Sequence, residues 1–241
     1  MKQLILGYLY GDCMNIYGDI GNIISLKNRA KKRDIVLKVK YISIGDKLKA
    51  GAVDLYFFGG GQDQAQVLVA SDLESSGKGK TIKQDVNRGV PLLSVCGGYQ
   101  LLGEYYQPQK GPKIKGIGLF EAYTKASFER MIGNIVISSP FGDLVGFENH
   151  SGKTYLKEGV TSLGKIKKGF GNNGEDKSEG CIYKNAIGCY IHGSLLPKNP
   201  ILCDWLIKKA LDVKYNQSID LKPLDDSLEN LAHQKAIARF S

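Results

Sequence analysis

The sequence predicts an α/β protein: a mostly parallel sheet with helices on both faces, extended by additional strands from the second half of the chain. Three observations carry that expectation. Over the first 116 residues, short apolar runs of strand type alternate with helical periodicity, the pattern of parallel strands joined by crossover helices. Two of those runs stop at glycine-rich turns, Gly59-Gly60-Gly61 and Cys96-Gly97-Gly98, and the carboxyl ends of parallel strands are where such sheets carry their working groups. Beyond Gly116 the pattern changes to strands separated by short glycine turns.

In order, Leu4 to Leu9 reads as a first strand and Asp12 to Tyr17 as a loop. Asp19 to Arg33 is a helix with Ile20, Ile23, Ile24 and Ala30 along one side. Asp34 to Ile42 and Val53 to Phe58 are the next strands, the latter stopping at the three glycines. A helix is expected from about Gln62 to Ala70. The polar stretch Ser75 to Lys80 then leads to another helix through Val86, and Pro91 to Val95 is the strand that delivers Cys96. In the second half, Ile117 to Lys125, Arg130 to Ser138, Leu144 to Phe147 and Cys181 to Ile191 read as strands. Lys167 to Gly180 reads as a mobile loop. Pro200 to Val213 is an amphipathic helix with Leu202, Trp205, Leu206 and Ala210 on one side, and Asp225 to Phe240 is another helix. No Pro/Ser linker separates the halves, so one domain is expected over residues 1–241.

Composition narrows the functional classes. No run approaches the ~20 apolar residues of a membrane span, and the apolar core of Met1 to Gly7 is too short for a signal peptide. A cytoplasmic location is expected. The five cysteines are scattered, odd in number and without a C-x-x-C pair, which argues against a disulfide framework and against zinc. The net charge of +9 concentrates in Lys27 to Arg33. That cluster fits a solvated helix end or a docking surface. No aromatic residue interleaves it, so nucleic acid is not expected as a partner. Two stretches resemble a phosphate-binding loop and fail on spacing. Glu74 stands where the leading glycine before Gly79-Lys80-Thr81 belongs, and Gly146 lies one residue too far from Gly152.

The chemistry centres on Cys96. A residue on a sharp strand-to-helix turn is strained and exposed at the sheet edge, and needs small neighbours. A thiol there also faces the amino end of the next helix, which favours the thiolate. Such a nucleophile needs a base and oxyanion donors. The chain has three histidines. His192, at the end of a strand and before Gly193, is the first candidate and His150 its rival; His233 falls in the terminal helix.

Cys96-Gly97-Gly98-Tyr99-Gln100, with Phe58 to Gly61 before it and Tyr190 to Gly193 after it, resembles the class I glutamine amidotransferases, and within them the branch of the cobyric acid synthases. Tyr17 to Ile24, Arg29 to Arg33, Val145 to His150 and Leu196 to Asn199 look like the glutaminase subunits of lipid II isoglutaminyl synthases. The likeness covers about Leu4 to Leu206, a core of about 4–206 followed by a helical tail over 207–241. It implies a flavodoxin-like fold and hydrolysis of L-glutamine. Cys96 would attack the side-chain amide and His192 would serve as acid, then base. Gly60 and Gly97 would form the oxyanion hole, and Arg130 and Gln100 would bind substrate. No metal and no other cofactor is implied. The partner implied is a separate MurT-like, ATP-dependent Mur ligase subunit, forming a heterodimer in peptidoglycan synthesis and cell-wall biogenesis, beside membrane-bound lipid II through that partner. One departure stands out: many relatives carry a glutamate two residues after the histidine, and this chain has Ser194. Either the site is a Cys–His dyad or an acid from elsewhere completes it, with Glu148 and Asp19 as candidates. Two other functions compete, the glutaminase component of a cobyrinic acid amidase and a non-catalytic scaffold that binds a partner.

Overall fold

A computed structural model describes residues 1–16 and 18–240; Tyr17, at the end of the expected first loop, and Ser241 lie outside the described residues. The first half alternates as expected. Strand β1 (Lys2–Leu9) leads to helix α1 (Ile20–Lys31), β2 (Ile35–Ile42) and β3 (Leu55–Phe58). Helices α2 (Asp63–Ser75) and α3 (Lys78–Asn87) follow, then β4 (Leu92–Val95) and the short α4 (Gly97–Leu102). The polar stretch around Ser75 is almost wholly helical, broken only where Gly77 takes a left-handed conformation (φ 76°). On α1 the buried side is Ile23, Leu26 and Ala30, whereas Ile24 faces solvent.

The second half contributes β5 (Tyr105–Gln107), β6 (Ile114–Lys115), the long β7 (Ala122–Ser139) and β8 (Gly142–Leu156), β9 (Gly164–Lys168), β10 (Ser178–Glu179), β11 (Cys181–Tyr183) and β12 (Ala186–Cys189). Helices α5 (Leu195–Lys198), α6 (Pro200–Tyr215) and α7 (Ser227–Phe240) end the chain. The two strands expected over 117–138 are one strand, β7. The run expected over 181–191 is a hairpin of β11 and β12 turned at Lys184, where φ is 54°.

The central sheet has the order β11-β12-β4-β3-β1-β2. All its pairings are parallel except β11 with β12 at one edge. Strands β3, β4 and β12 are buried at every position, as a parallel sheet covered on both faces requires. The chain moves outward from β1 to β2 and then returns to the other side of β1 for β3. With right-handed crossovers, α1 and the α2–α3 pair therefore lie on opposite faces. The reversal opens a crevice beyond the carboxyl ends of β1 and β3, the usual ligand position in open α/β sheets.

Only β11 and β12 extend the central sheet. The other second-half strands form a second sheet, ordered β10-β9-β7-β5-β6 with β8 also paired to β7. A two-way backbone bridge joins the sheets: His192 N–H donates to Phe147 O (2.7 Å) and Phe147 N–H to His192 O (3.3 Å). The segment expected to be mobile, Lys167 to Gly180, is instead fastened. Asn172 and Asn173 are buried, and Glu148 accepts the N–H groups of Phe170 (2.7 Å) and Gly171 (2.9 Å).

Candidate active site

Cys96 sits between β4 and α4 with φ 51° and ψ −109°, a conformation rare for a residue with a side chain. Its N–H is anchored on Cys189 O (2.8 Å) in the neighbouring strand. The strain survives because the next turn packs against the β3 loop without side chains. A Cβ on Gly98 would lie 2.6 Å from Phe58 O, while its N–H donates to Gly59 O (3.1 Å). Cys96 is 7% exposed and lines a pocket of about 420 Å³.

His192 follows β12 and is fully buried. Its imidazole sits beside the Cys96 side chain, its Cε1 and the Cys96 Cβ lying 3.1 and 3.3 Å from the position a Cβ on Gly60 would take, and its Nδ1–H donates to Asp19 Oδ1 at 3.1 Å. Burial by itself would lower its pKa. The charge of the nearby Cys96 sulfur and the bond to Asp19 outweigh that effect and raise it to about 10. His192 is therefore held as an imidazolium beside the Cys96 side chain, and a neighbouring cation is what a cysteine nucleophile needs.

The acid absent two residues after the histidine is supplied from far away in sequence. Asp19 stands at the N-cap of α1, where an aspartate ordinarily accepts the helix's own N–H groups, and it makes no such bond. Its carboxylate is turned into the site instead. Oδ1 meets His192 and Oδ2 accepts the N–H of Gly60 at 2.9 Å. Glu148, the other candidate acid, is committed to the 170–171 backbone.

That arrangement corrects the expectation for Gly60. Its N–H is taken by Asp19 in a buried bond, so it is not presented to a reacting oxygen. The amide of Gly61 meets the requirement better. Gly61 lines the pocket, and its nitrogen lies 2.9 Å from the position a Cβ on Gly97 would take. Neither Gly61 N–H nor Gly97 N–H donates to an acceptor among the described residues. The resemblance pointed to the loop, but which amide faces the pocket depends on the Asp19 bond.

Arg130 lines the pocket, with Nε donating to Asn149 Oδ1 at 2.6 Å. Its position is set by a register slip in the β7–β8 hairpin. Ala126 pairs with Gly152 and Met131 with His150, leaving four residues opposite Ser151. Such a bulge re-aims a side chain. Gln100 also lines the pocket, but its Oε1 accepts from Gln66 Nε2 (2.9 Å) and its Nε2 donates to Tyr190 OH (3.1 Å). One amide hydrogen is left for a ligand. Sequence reasoning missed Gln66, Asp63 and Tyr106, which line the same wall. For Asp63 and Gln66 the signal was present only as polar residues at the start of α2, and for Tyr106, on β5, there was none.

His150 is also buried at the pocket, stacked on Tyr190 with ring centroids 3.6 Å apart. Its Nδ1–H donates to Gly152 O (2.8 Å). Burial lowers its pKa against the opposing pull of Glu148, so it is neutral at pH 7 and acts as packing. His233, on α7, bonds Lys198 O at the end of α5 and does not line the pocket. Among the described residues no cluster of His, Cys, Asp and Glu is arranged to hold a metal.

Comparison with known proteins adds four findings. Residues 6–200 match the CobB/CobQ-like glutamine amidotransferase domain. The chain is 42% identical to the lipid II isoglutaminyl synthase (glutamine-hydrolyzing) subunit GatD of Staphylococcus aureus, over 99% of this chain and 97% of that protein. It is 40% identical to the subunit of the same name in Streptococcus pneumoniae, over 99% and 94%. Among solved structures, PurLQS from Thermotoga maritima shares the fold at a TM-score of 0.58 and 16% identity, covering 90% of this chain and 99% of that one.

Proposed function

The chain belongs to the CobB/CobQ-like glutamine amidotransferases, and on that premise we propose that it is the glutaminase subunit of a lipid II-amidating enzyme. In this reading it hydrolyses L-glutamine to glutamate and ammonia. The ammonia passes to a separate MurT-like, ATP-dependent ligase that amidates the α-carboxyl of D-glutamate in the lipid II stem peptide. The observation that carries the hydrolytic half is the Asp19–His192 bond beside Cys96, which lines a pocket shared with Arg130. The ligase half is supported by the near full-length similarity to the two GatD subunits.

The chemistry follows from the geometry. The Cys96 thiolate attacks the side-chain amide carbon, and the carbonyl oxygen becomes an oxyanion held by the N–H groups of Gly97 and Gly61. His192, protonated at Nε2, gives that proton to the amide nitrogen as the C–N bond breaks, releasing ammonia and leaving a glutamyl thioester. The neutral imidazole then takes a proton from water as its oxygen attacks the thioester. Collapse of the second tetrahedral species breaks the C–S bond, frees glutamate and restores the thiolate–imidazolium pair. Asp19 keeps Nδ1 protonated throughout, so that Nε2 is the nitrogen that exchanges protons.

Glutamate release from glutamine, measured on wild type and Cys96→Ala, tests the nucleophile. The variant is expected to lose at least about a thousandfold in kcat, and turnover surviving the change would remove Cys96 from the reaction. Ammonia transfer measured with the ligase subunit tests the second half. Equal transfer to cobyrinic acid and to lipid II would overturn the assignment of acceptor.

A further inference from the structure

L-Glutamine at neutral pH carries a carboxylate and an ammonium on its α-carbon, and a pocket that takes the free amino acid must distinguish the two. Among the described residues that line the cavity, Arg130 is the one permanent cation and Asp63 the one carboxylate. They come from different layers of the molecule, Arg130 from the β7 bulge and Asp63 from the first turn of α2. One turn further along α2, on the same helical face, Gln66 reaches into the same cavity.

Gln66 supplies the second observation. It is 2% exposed, and its Nε2 donates both to Gly61 O (3.3 Å) and to Gln100 Oε1 (2.9 Å). Two acceptors on one side fix which end of the amide is nitrogen. The oxygen at the other end, Oε1, is buried without any donor. A buried acceptor without a donor is costly and uncommon. Nearby, Tyr106 OH donates to Asp63 Oδ1 (3.3 Å), which orients the carboxylate and leaves Oδ2 available.

Resting on the glutaminase reading, we infer that Asp63 and Gln66 form the subsite for the α-ammonium of the substrate, opposite Arg130, and so select free L-glutamine over amides that lack an α-amino group. An ammonium has three N–H donors and no acceptor. It satisfies the orphaned Gln66 oxygen and the Asp63 carboxylate together. The same two oxygens repel a carboxylate, so the amino acid enters in one orientation, with its amide at Cys96. Asp63 also offsets the positive end of α2, which alone would disfavour a cation.

The experiment compares L-glutamine with glutaramic acid, the same molecule without its α-amino group, as substrates for wild type and Asp63→Asn, each assayed alone and co-purified with the ligase subunit. Asp63 is exposed at the helix start, so the variant keeps the fold. Wild type is expected to prefer L-glutamine by at least about 100-fold in kcat/KM. Asp63→Asn is expected to raise KM for L-glutamine about 10- to 100-fold, with kcat within about threefold and KM for glutaramic acid within about twofold. An equal rise for both substrates, or no rise for either, overturns the subsite. Absence of any glutamate release by wild type from L-glutamine would instead sink the glutaminase reading itself, whatever Asp63 does.

Discussion

At the scale of single residues, the site depends on how one carboxylate is spent. Asp19 uses both oxygens, one on His192 and one on the Gly60 amide, so it fixes the imidazole tautomer and the shape of the β3 loop together. Asp19→Asn is expected to lower kcat about 100- to 10,000-fold while the fold persists, and to lower the pKa of His192 in an NMR titration of the ring. A kcat equal to wild type would remove Asp19 from the relay. The sign of the linkage is clear. With a folded value of about 10 against 6.5 for an ordinary histidine, His192 contributes stability that is complete below about pH 6.5 and lost as pH rises through about 10. Cys96 was legible in the sequence because its role is imposed by the local strand-turn-helix backbone. Asp19 was legible only as one candidate acid, since an aspartate before a helix has an ordinary reason to be there.

At the scale of elements, the two arginines in the basic run at the end of α1 are turned inward, while Lys27, Lys31 and Lys32 are exposed. Arg29 is nearly buried and bonds Asp204 with two nitrogens (2.5 and 2.7 Å) and Asp226 with two contacts (2.6 and 2.7 Å). Arg33 adds two bonds to Asp204 (2.9 and 2.6 Å). Both arginines therefore fasten α1 to α6 and to the lead-in of α7, and are not a free docking surface. Burial pushes Asp204 upward, but its bonds to Arg29 and Arg33 outweigh that and hold it below the ordinary carboxylate value. The contribution is present above the unfolded value of 3.8 and is lost as pH falls below it. Asp204→Asn is expected to cost about 3 kcal/mol at pH 7 in urea denaturation. Lys32→Ala, on an exposed neighbour, is expected to stay within about 0.5 kcal/mol. Equal losses in the two variants would refute the network. The sequence showed seven basic and neutral residues on a helix end; it did not show the acids 171 to 197 positions away that neutralise two of them.

At the scale of the whole molecule, the pocket exists only where the two sheets meet. The central sheet supplies Cys96, the second sheet supplies Arg130 and His150, and the Phe147–His192 bridge holds the two in register. Glu179 lies at the same seam. It belongs to β10 of the second sheet, yet its Oε1 accepts the N–H of Tyr190 beyond β12 at 2.6 Å. Burial raises its pKa to about 8, opposed by the Tyr190 N–H and reinforced by the Glu148 charge. A carboxyl raised above its unfolded value of 4.5 makes the fold most stable below that pH and progressively less so up to about 8. Glu179→Gln keeps an acceptor for Tyr190 and cannot ionise. It is expected to exceed wild type by on the order of 3–5 kcal/mol above pH 8, with the gap closing toward pH 4.5 in thermal denaturation. A gap that does not change with pH would show that Glu179 ionises alike in the folded and unfolded states.

By itself the sequence determined the alternating first half, the strand-turn-helix backbone at Cys96, and the family to which the chain belongs. Those features are written in local periodicity and in short motifs, where neighbours in the chain are also neighbours in space. The tertiary structure alone decided the rest. Asp19 meets His192 because the loop after β1 and the end of β12 converge on one crevice. Gly61 replaces Gly60 at the pocket because Asp19 takes the Gly60 amide. Arg130 reaches the rim through a register slip, and the loop over 167–180 is fastened by Glu148. Each of these rests on a hydrogen bond or a strand register between residues far apart in sequence, and such pairings are set by how layers pack and not by the order of residues within any one of them.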